Sequence, residues 1–224
     1  MKTRAKSREY ILDVILILLI LQLGRIYINN ILSSQLRLSL SNFMITTVIS
    51  FILTIIFLLL VLKNNKKFNI PHLKIVNMFD QKVNSIRKLL GIIIGTIVCL
   101  LPYFKGGYTL YNIEKIILFI IIIPVFEELV FREYMWNYLY NFSKNIPKIF
   151  ISITLLYAIF QFGYVDIIIK YMKLIYSTSY LIDIVNLVVI RGIIIGAILN
   201  FIKVKLKDIY ICILVHILIN ILIF

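Results

Sequence analysis

Four charged side chains stand close together in an apolar stretch, where one isolated charge would cost roughly 3 to more than 10 kcal/mol in a bilayer. They are Glu127, Glu128, Arg132 and Glu133, and largely apolar residues precede them. On a helix, Glu128 and Arg132 are four residues apart, so they share a face and can pair. Glu127 is rotated by about 100° from Glu128, and apolar residues occupy the third and fourth positions after it. The pattern therefore predicts a supporting ion pair beside a carboxylate that can take a proton from water.

Further polar groups lie in later apolar stretches. His216 and Asn220 are four residues apart and would share one helix face, where both could donate hydrogen bonds to a developing oxyanion. Gln161 is the strongly polar side chain near the end of another apolar run. Each group also has a purely structural interpretation, because polar side chains inside a membrane commonly hydrogen-bond one helix to another. The residues alone leave both interpretations open.

The composition indicates the class of protein. Of 224 residues, 62% are hydrophobic, and the mean hydropathy is +1.01, whereas soluble domains are nearer half apolar. The net charge is +14, but the basic residues lie between apolar runs, where membrane topology expects them. Cys99 and Cys212 lie inside apolar runs and are interpreted as small packing residues without a disulfide. We predict an all-α, polytopic transmembrane helix bundle that contacts the lipid bilayer and no nucleic acid.

Seven apolar runs are candidate membrane helices, since a hydrocarbon core needs about 20 helical residues. A basic loop, residues 63–88, follows the second run, and the mixed stretch 163–179 is either a loop or a short interfacial helix. We divide the single bundle into N-terminal helices, residues 1–112, and a core, residues 113–224. The runs are residues 10–28, 43–62, 89–103, 113–140, 147–162, 180–202 and 208–224.

The basic residues predict the orientation. With the N-terminus in the cytoplasm, 16 of the 24 Lys and Arg residues lie inside and six, including Arg25, lie outside, as the positive-inside rule favours. An eighth helix near residues 164–176 would move the three lysines at 203–207 outside and is disfavoured. Ile, Lys and Asn are abundant, which suggests an AT-rich bacterial genome, so we expect the bacterial plasma membrane.

Three motifs on separate predicted helices resemble those of the CPBP family, also called Abi or type-II CAAX prenyl endopeptidases. That family shows Glu-Glu-x-x-x-Arg, then Phe-x-x-x-His, then His-x-x-x-Asn. The first and third motifs are complete here, whereas the second has Tyr and Gln in place of Phe and His. The resemblance covers roughly residues 113–224. The matching residues are Glu127, Glu128 and Arg132, then Tyr157 and Gln161, then His216 and Asn220.

The resemblance implies a role for each motif. Glu127 and the second-motif His would activate the attacking water. His216 and Asn220 would hold the oxyanion, and Glu128 with Arg132 would support the site.

The departure from the family at Gln161 affects this chemistry. A glutamine can hydrogen-bond water but cannot accept its proton at neutral pH. General base catalysis contributes roughly 10²–10⁴-fold. Glu127 acting without a histidine would therefore be a slower base.

Some descriptions assign a catalytic zinc to this family, but this chain has few residues that could bind one. A catalytic zinc takes three protein ligands, usually including His. This chain has two His, and His72 falls in the basic loop. Any metal would need Glu127, Glu128 and His216, so we expect no cofactor and a metal-free, glutamate-dependent mechanism.

These features favour an intramembrane endopeptidase of the CPBP type. Its substrate would be a membrane-embedded peptide or precursor, with bacteriocin, pheromone or signal-peptide processing implied by the resemblance. The alternative, which Gln161 suggests, is a catalytically weak or inactive relative acting as a bacteriocin self-immunity protein or a membrane regulator. The third hypothesis is a proton-coupled transporter or channel. It is disfavoured because the sequence shows no inverted repeat and no pair of broken helices in matching halves.

Overall fold

The computed structural model describes residues 2–36, 39–64, 85–175 and 181–223. Within these ranges the chain forms seven helical rods and no strand, which confirms the predicted all-α bundle of seven helices. His72 and most of the predicted basic loop lie outside the described residues. The rods are α1 (Lys2–Ser34), α2 (Leu40–Asn64), α3 (Ser85–Phe104), α4 (residues 110–142), α5 (residues 146–175), α6 (Leu181–Leu206) and α7 (Ile209–Ile223).

Helix α4, which carries the Glu-Glu motif, departs from regular α geometry twice. It has a π-helical turn at Ile117–Ile122, an α turn at Ile123–Glu128 and a second π-helical segment at Leu129–Met135. Pro124 has no N–H for the carbonyl four residues earlier, and its ring would clash with that carbonyl in a regular helix. A wider turn just before the proline relieves both problems. Single π turns are frequent at functional sites, and here two of them flank the glutamates.

Helix α5 changes pitch where the second motif lies. It is α-helical over Ile146–Phe160, 3₁₀-helical over Gln161–Tyr164 and α-helical again over Val165–Ile175. The stretch predicted as a loop or an interfacial helix therefore begins as a continuation of α5. One apolar span, Ile146–Lys170, covers the change of pitch. The continuation adds no eighth crossing within the described ranges.

Five of the seven rods, namely α1, α2, α3, α5 and α6, contain a span with the length and composition of a membrane helix. Helix α7 is apolar but shorter. Many Leu, Ile and Phe side chains are exposed on the outside of the bundle, as hydrocarbon surroundings permit. The chain is therefore a multi-pass membrane protein. The placement of its N-terminus in the cytoplasm stays a prediction.

An aromatic cluster joins α2, α4 and α5 around the glutamate turn. The ring centroid of Phe51 lies 5.3 Å from that of Phe126 and 5.9 Å from that of Tyr164. The rings of Phe131 and Phe160 are 5.2 Å apart. All five side chains are buried, and each such pair adds about 0.5–1.5 kcal/mol beyond the burial of its area. The cluster fixes the glutamate turn of α4 against α5.

Three expectations about single residues need correction. Arg25, which we counted among the basic residues outside the membrane, is fully buried in α1, where it pairs with Asp166 of α5, and α1 itself continues past residue 28 to Ser34. Lys203 was also counted as a loop cation, yet it lies buried in the last turn of α6, where it forms an ion pair. Cys212 is buried as predicted, whereas Cys99 is exposed on the surface of the bundle.

Candidate functional site

Glu127 lies at the centre of a polar cluster built by three helices. Its side chain is 2% exposed and belongs to the α turn between the two π segments. From α5, Tyr157 donates its hydroxyl to Glu127 Oε2, and Gln161 Nε2 donates to Oε1 at 3.2 Å. From α7, His216 Nε2 lies 3.7 Å from Oε2. Glu127 has apolar neighbours one turn on in its own helix, so its partners come from two other helices.

Glu128 has charged partners instead. Arg132 Nη1 donates to Glu128 Oε1 at 3.1 Å, so the predicted pair is confirmed. His216 Nδ1 lies 2.9 Å from the same oxygen. Arg132 also donates from Nη2 to the carbonyl of Gly196 at 3.1 Å, and its Cζ lies 4.6 Å from the ring centroid of Tyr157. Both members of the pair are fully buried, and these contacts offset part of the cost of removing them from water.

Two glycines bring α6 close to α5 at this level. A Cβ on Gly192 would lie 2.8 Å from Gln161 Cγ, and one on Gly196 would lie 2.9 Å from Tyr157 Cδ1. A larger residue at either position would displace the side chain that it meets. Small residues of this kind are the usual means of close helix approach in membranes. The two glycines therefore leave the space that Tyr157 and Gln161 occupy beside α6.

Asn220 lies one turn beyond His216 on the same side of α7. Its Nδ2 donates to the carbonyl of Phe119, in the first π segment of α4, at 2.9 Å. Its Oδ1 accepts a hydrogen bond from Arg191 Nη2, on α6, at 2.8 Å. Two helices therefore orient this amide. Its nitrogen carries two N–H groups, so one contact leaves a second donor for a ligand.

A cavity of about 390 Å³ joins these groups. Of its charged or titratable lining residues, Glu127 and His216 are buried, whereas Lys115 and Arg191 are half-buried. Its lining extends to the exposed Ile223, so the cavity reaches the surface of the bundle. Most of the remaining lining is apolar. The cavity could admit an extended apolar chain and bring it to Glu127.

The arrangement does not suit a metal held by Glu127, Glu128 and His216. The two carboxylates face different nitrogens on opposite sides of the imidazole ring, so the three groups do not converge on one point. Arg132 also donates to Oε1 of Glu128, the oxygen that faces His216. Across the described parts of the chain, no three His, Cys, Asp or Glu side chains are grouped to hold an ion.

The structure brings all six predicted site residues together in one region. Sequence reasoning assigned no role to the hydroxyl of Tyr157 or to Arg191. Arg191 lies in the middle of the apolar run 180–202, whose other charge, Asp183, is near its start. The cost of a charge at that depth was a signal that could have identified Arg191. Of the six predicted site residues, four line the cavity, namely Glu127, Gln161, His216 and Asn220, whereas Glu128 and Arg132 are not part of its lining.

Comparison with known proteins identifies one related family. Residues 108–222, just over half of the chain, match the family described as Type II CAAX prenyl endopeptidase Rce1-like. The matched segment includes every residue of the polar cluster, whereas α1 to α3 precede it. No curated protein and no solved structure matches the chain.

Proposed function

The chain belongs to the Type II CAAX prenyl endopeptidase Rce1-like family, and from this premise we propose that it is an intramembrane endopeptidase cleaving a membrane-associated peptide or precursor. One observation carries the proposal. The buried carboxylate of Glu127 lines a cavity together with His216 and Asn220. A base and hydrogen-bond donors around one space are what amide hydrolysis requires.

Glu127 is the proposed general base. It accepts hydrogen bonds from Tyr157 and Gln161, and a carboxylate has further lone pairs for a water molecule. The 3.7 Å between Glu127 Oε2 and His216 Nε2 is too long for a direct hydrogen bond, but a water could bridge it. In the proposed step the water oxygen attacks the scissile carbonyl carbon while Glu127 takes a proton from the water. That proton passes to the leaving amine when the C–N bond breaks.

His216 and Asn220 are the proposed oxyanion donors. Nδ1 of His216 faces Glu128 and Nε2 lies towards Glu127, so a ring protonated on both nitrogens would donate to Glu128 and present Nε2–H to the cavity. Asn220 offers its second amide N–H. With His216 protonated, the buried group of Glu127, Glu128, Arg132 and His216 has no net charge, which limits the cost of burying it. Each donor of this kind is worth roughly 10²–10³ in kcat.

The proposed mechanism is metal-free and slow. The two carboxylates face different nitrogens of His216, so these three side chains do not form one metal site. No step of the proposed mechanism requires a Lewis acid. The mechanism is slow because Gln161 stands where the family motif has a histidine. Its amide donates to Glu127 and cannot share a proton with it.

An apolar peptide with a free carboxylate is the substrate that the cavity favours. The cavity wall is mostly apolar, and Arg191 contacts the neutral amide of Asn220. A substrate carboxylate would complement that guanidinium. We propose the bacterial plasma membrane as the location, with bacteriocin, pheromone or signal-peptide precursors as the first substrates to try.

The direct test is cleavage of candidate precursors by the purified protein in proteoliposomes. Glu127→Ala should lower the rate by roughly 10²–10⁴-fold. The matched control is Glu133→Ala, which removes another carboxylate from α4 that does not line the cavity. It should leave the rate per folded molecule nearly unchanged. Equal cleavage by the wild-type protein and Glu127→Ala would refute the proposal.

Gln161 favours one second candidate, a weak or inactive relative that binds a membrane peptide as an immunity protein or regulator. Binding needs the cavity but not the base. Protection or regulation should then survive Glu127→Ala in cells. Loss of the phenotype in that variant, at normal protein levels, would exclude this candidate.

A further inference from the structure

A buried arginine of α1 donates hydrogen bonds to the part of α5 that follows Gln161. The side chain of Arg25 is fully buried. Its Nη2 donates to the carbonyl of Gly163 and to Asp166 Oδ1, each at 2.7 Å, and its Nη1 donates to Asp166 Oδ2 at 3.2 Å. Only the guanidinium fork can bind a carboxylate at two points and still reach a carbonyl. One side chain therefore holds both main chain and side chain of α5.

Gln22, one turn earlier on α1, makes a further hydrogen bond to α5 and also contacts Arg25. Its Nε2 donates to the carbonyl of Phe160 at 3.3 Å, and its Oε1 accepts from Arg25 Nε at 2.9 Å. A glycine is needed at position 163 for this contact, because a Cβ there would lie 2.3 Å from Gln22 Cδ. The two carbonyls held by α1 belong to Phe160 and Gly163, and Gln161 lies between them.

The segment of α5 that Gln22 and Arg25 contact contains the 3₁₀ turn that faces the cavity. The segment Gln161–Tyr164 has the tighter pitch, with about 3.0 residues per turn in place of 3.6. The pitch decides which side chains of the turn point towards α4. In this conformation Gln161 reaches Glu127 at 3.2 Å, and Tyr164 lines the same cavity with its ring centroid 5.6 Å from Arg25 Cζ.

We propose that Arg25, acting with Asp166, is a positioning residue that holds the 3₁₀ turn of α5 and thereby keeps Gln161 against Glu127. Its effect on a reaction rate rests on the proposed function, but its effect on the position of the turn does not. Helix α1 precedes the residues that match the family, so the three family motifs do not include this contact. The N-terminal helix is therefore part of the site's support and more than a membrane anchor.

Disulfide trapping tests the position of the turn without any substrate. In the full chain with Cys99→Ala and Cys212→Ala, the reporter pair is Gln161→Cys with Gly192→Cys. A Cβ at position 192 would lie 2.8 Å from Gln161 Cγ, which suits a disulfide. The matched control pair is Tyr157→Cys with Gly196→Cys, one turn away on the same two helices. A Cβ at position 196 would lie 3.6 Å from Tyr157 Cβ.

The variants for this test are Arg25→Gln, Arg25→Lys and the double substitution Arg25→Gln with Asp166→Asn, which leaves no uncompensated charge. We expect the trapping rate of the reporter pair to fall at least about fivefold in all three, since hydrogen bonds to a charged group are lost. The control pair should change less than about twofold. An unchanged reporter pair would overturn the proposal. An equal fall in both pairs would also overturn it, because Arg25 would then hold the two helices together rather than the turn.

A double-mutant cycle tests the consequence for catalysis. Arg25→Gln and Gln161→Ala should each lower kcat by about tenfold, with KM changing much less, because a misplaced group lowers the rate more than the binding. The double variant should be no slower than Gln161→Ala alone. Additive losses would contradict action through Gln161. If no variant and no wild-type protein cleaves any peptide, the proposed function fails while the trapping result still decides the role of Arg25.

Discussion

Glu127 and Glu128 are adjacent in the chain, yet they face two different regions of the molecule. Glu127 lines the cavity and is held by the neutral donors Tyr157 and Gln161. Glu128 lies away from the cavity, where Arg132 contacts it. Burial does not distinguish the two carboxylates, since their exposed fractions are 2% and 0%. The rotation of about 100° between consecutive helical residues separates them.

The difference teaches how two identical side chains acquire different roles. A guanidinium donates to one oxygen of Glu128 and places a positive charge beside it, which suits a supporting charge. Neutral donors orient Glu127 but leave it open to the cavity, which suits a group that exchanges protons. His216 contacts both carboxylates through different nitrogens, so it couples the supporting region to the reacting one.

The largest expected effect is on stability in the supporting region. Arg132→Gln leaves the buried carboxylate of Glu128 without its guanidinium partner, and it should lower the free energy of unfolding by about 3–5 kcal/mol. Thermal unfolding in detergent measures the loss. Arg87→Gln is the comparison, because it breaks the ion pair with the buried Asp208 from an arginine that is 30% exposed, and its cost should be smaller because water can screen the charge near Arg87. Similar losses in the two variants would mean that the supporting pair is not a special feature of the site.

A smaller effect is expected when the reacting region receives a second proton acceptor. Gln161→His restores the family's motif residue beside Glu127 and should raise kcat about tenfold, within the range of general base catalysis. The control is the variant that combines Gln161→His with Glu127→Gln. It should be slow, because the added histidine should assist Glu127 and not replace Glu127 as the base. Cleavage that stays fast in the combined variant would show that Glu127 is not the base.

The smallest effect is expected at the outer part of the cavity. Arg191→Gln should raise KM about fivefold for a peptide with a free terminal carboxylate, as for a partly exposed ion pair. The same peptide with an amidated end has no carboxylate to lose, so its KM should stay the same in both proteins. A matching change in KM for both peptides would assign Arg191 to the orientation of Asn220 instead.

The helices and motifs were largely predictable because they rest on local patterns. Apolar runs of about 20 residues predict membrane helices, and the four-residue spacing predicted that Glu128 and Arg132 would pair. The end of α1 was placed too early, at residue 28, and Arg25 was counted outside the membrane although it lies within that run. Its partners on α5 lie far away in the sequence, and no local pattern shows them.

The details of the site depend on such distant contacts. The 3₁₀ turn around Gln161 is held by Gln22 and Arg25 from α1, so the sequence of α5 alone does not predict it. The first π turn of α4 has a local cause in Pro124, whereas the second has no proline and no signal that we recognise in the sequence. The role of Tyr157 became visible only when its hydroxyl was found on Glu127.

One pair of variants tests the division between the two glutamates most directly. Glu127→Gln and Glu128→Gln are compared for cleavage rate per folded molecule and for unfolding temperature, in the same proteoliposome and detergent preparations. We predict that Glu127→Gln keeps the wild-type unfolding temperature and loses at least about 10²-fold in rate, whereas Glu128→Gln unfolds at a clearly lower temperature. Cleavage at the wild-type rate by a folded Glu127→Gln protein would contradict the assignment of Glu127 as the base.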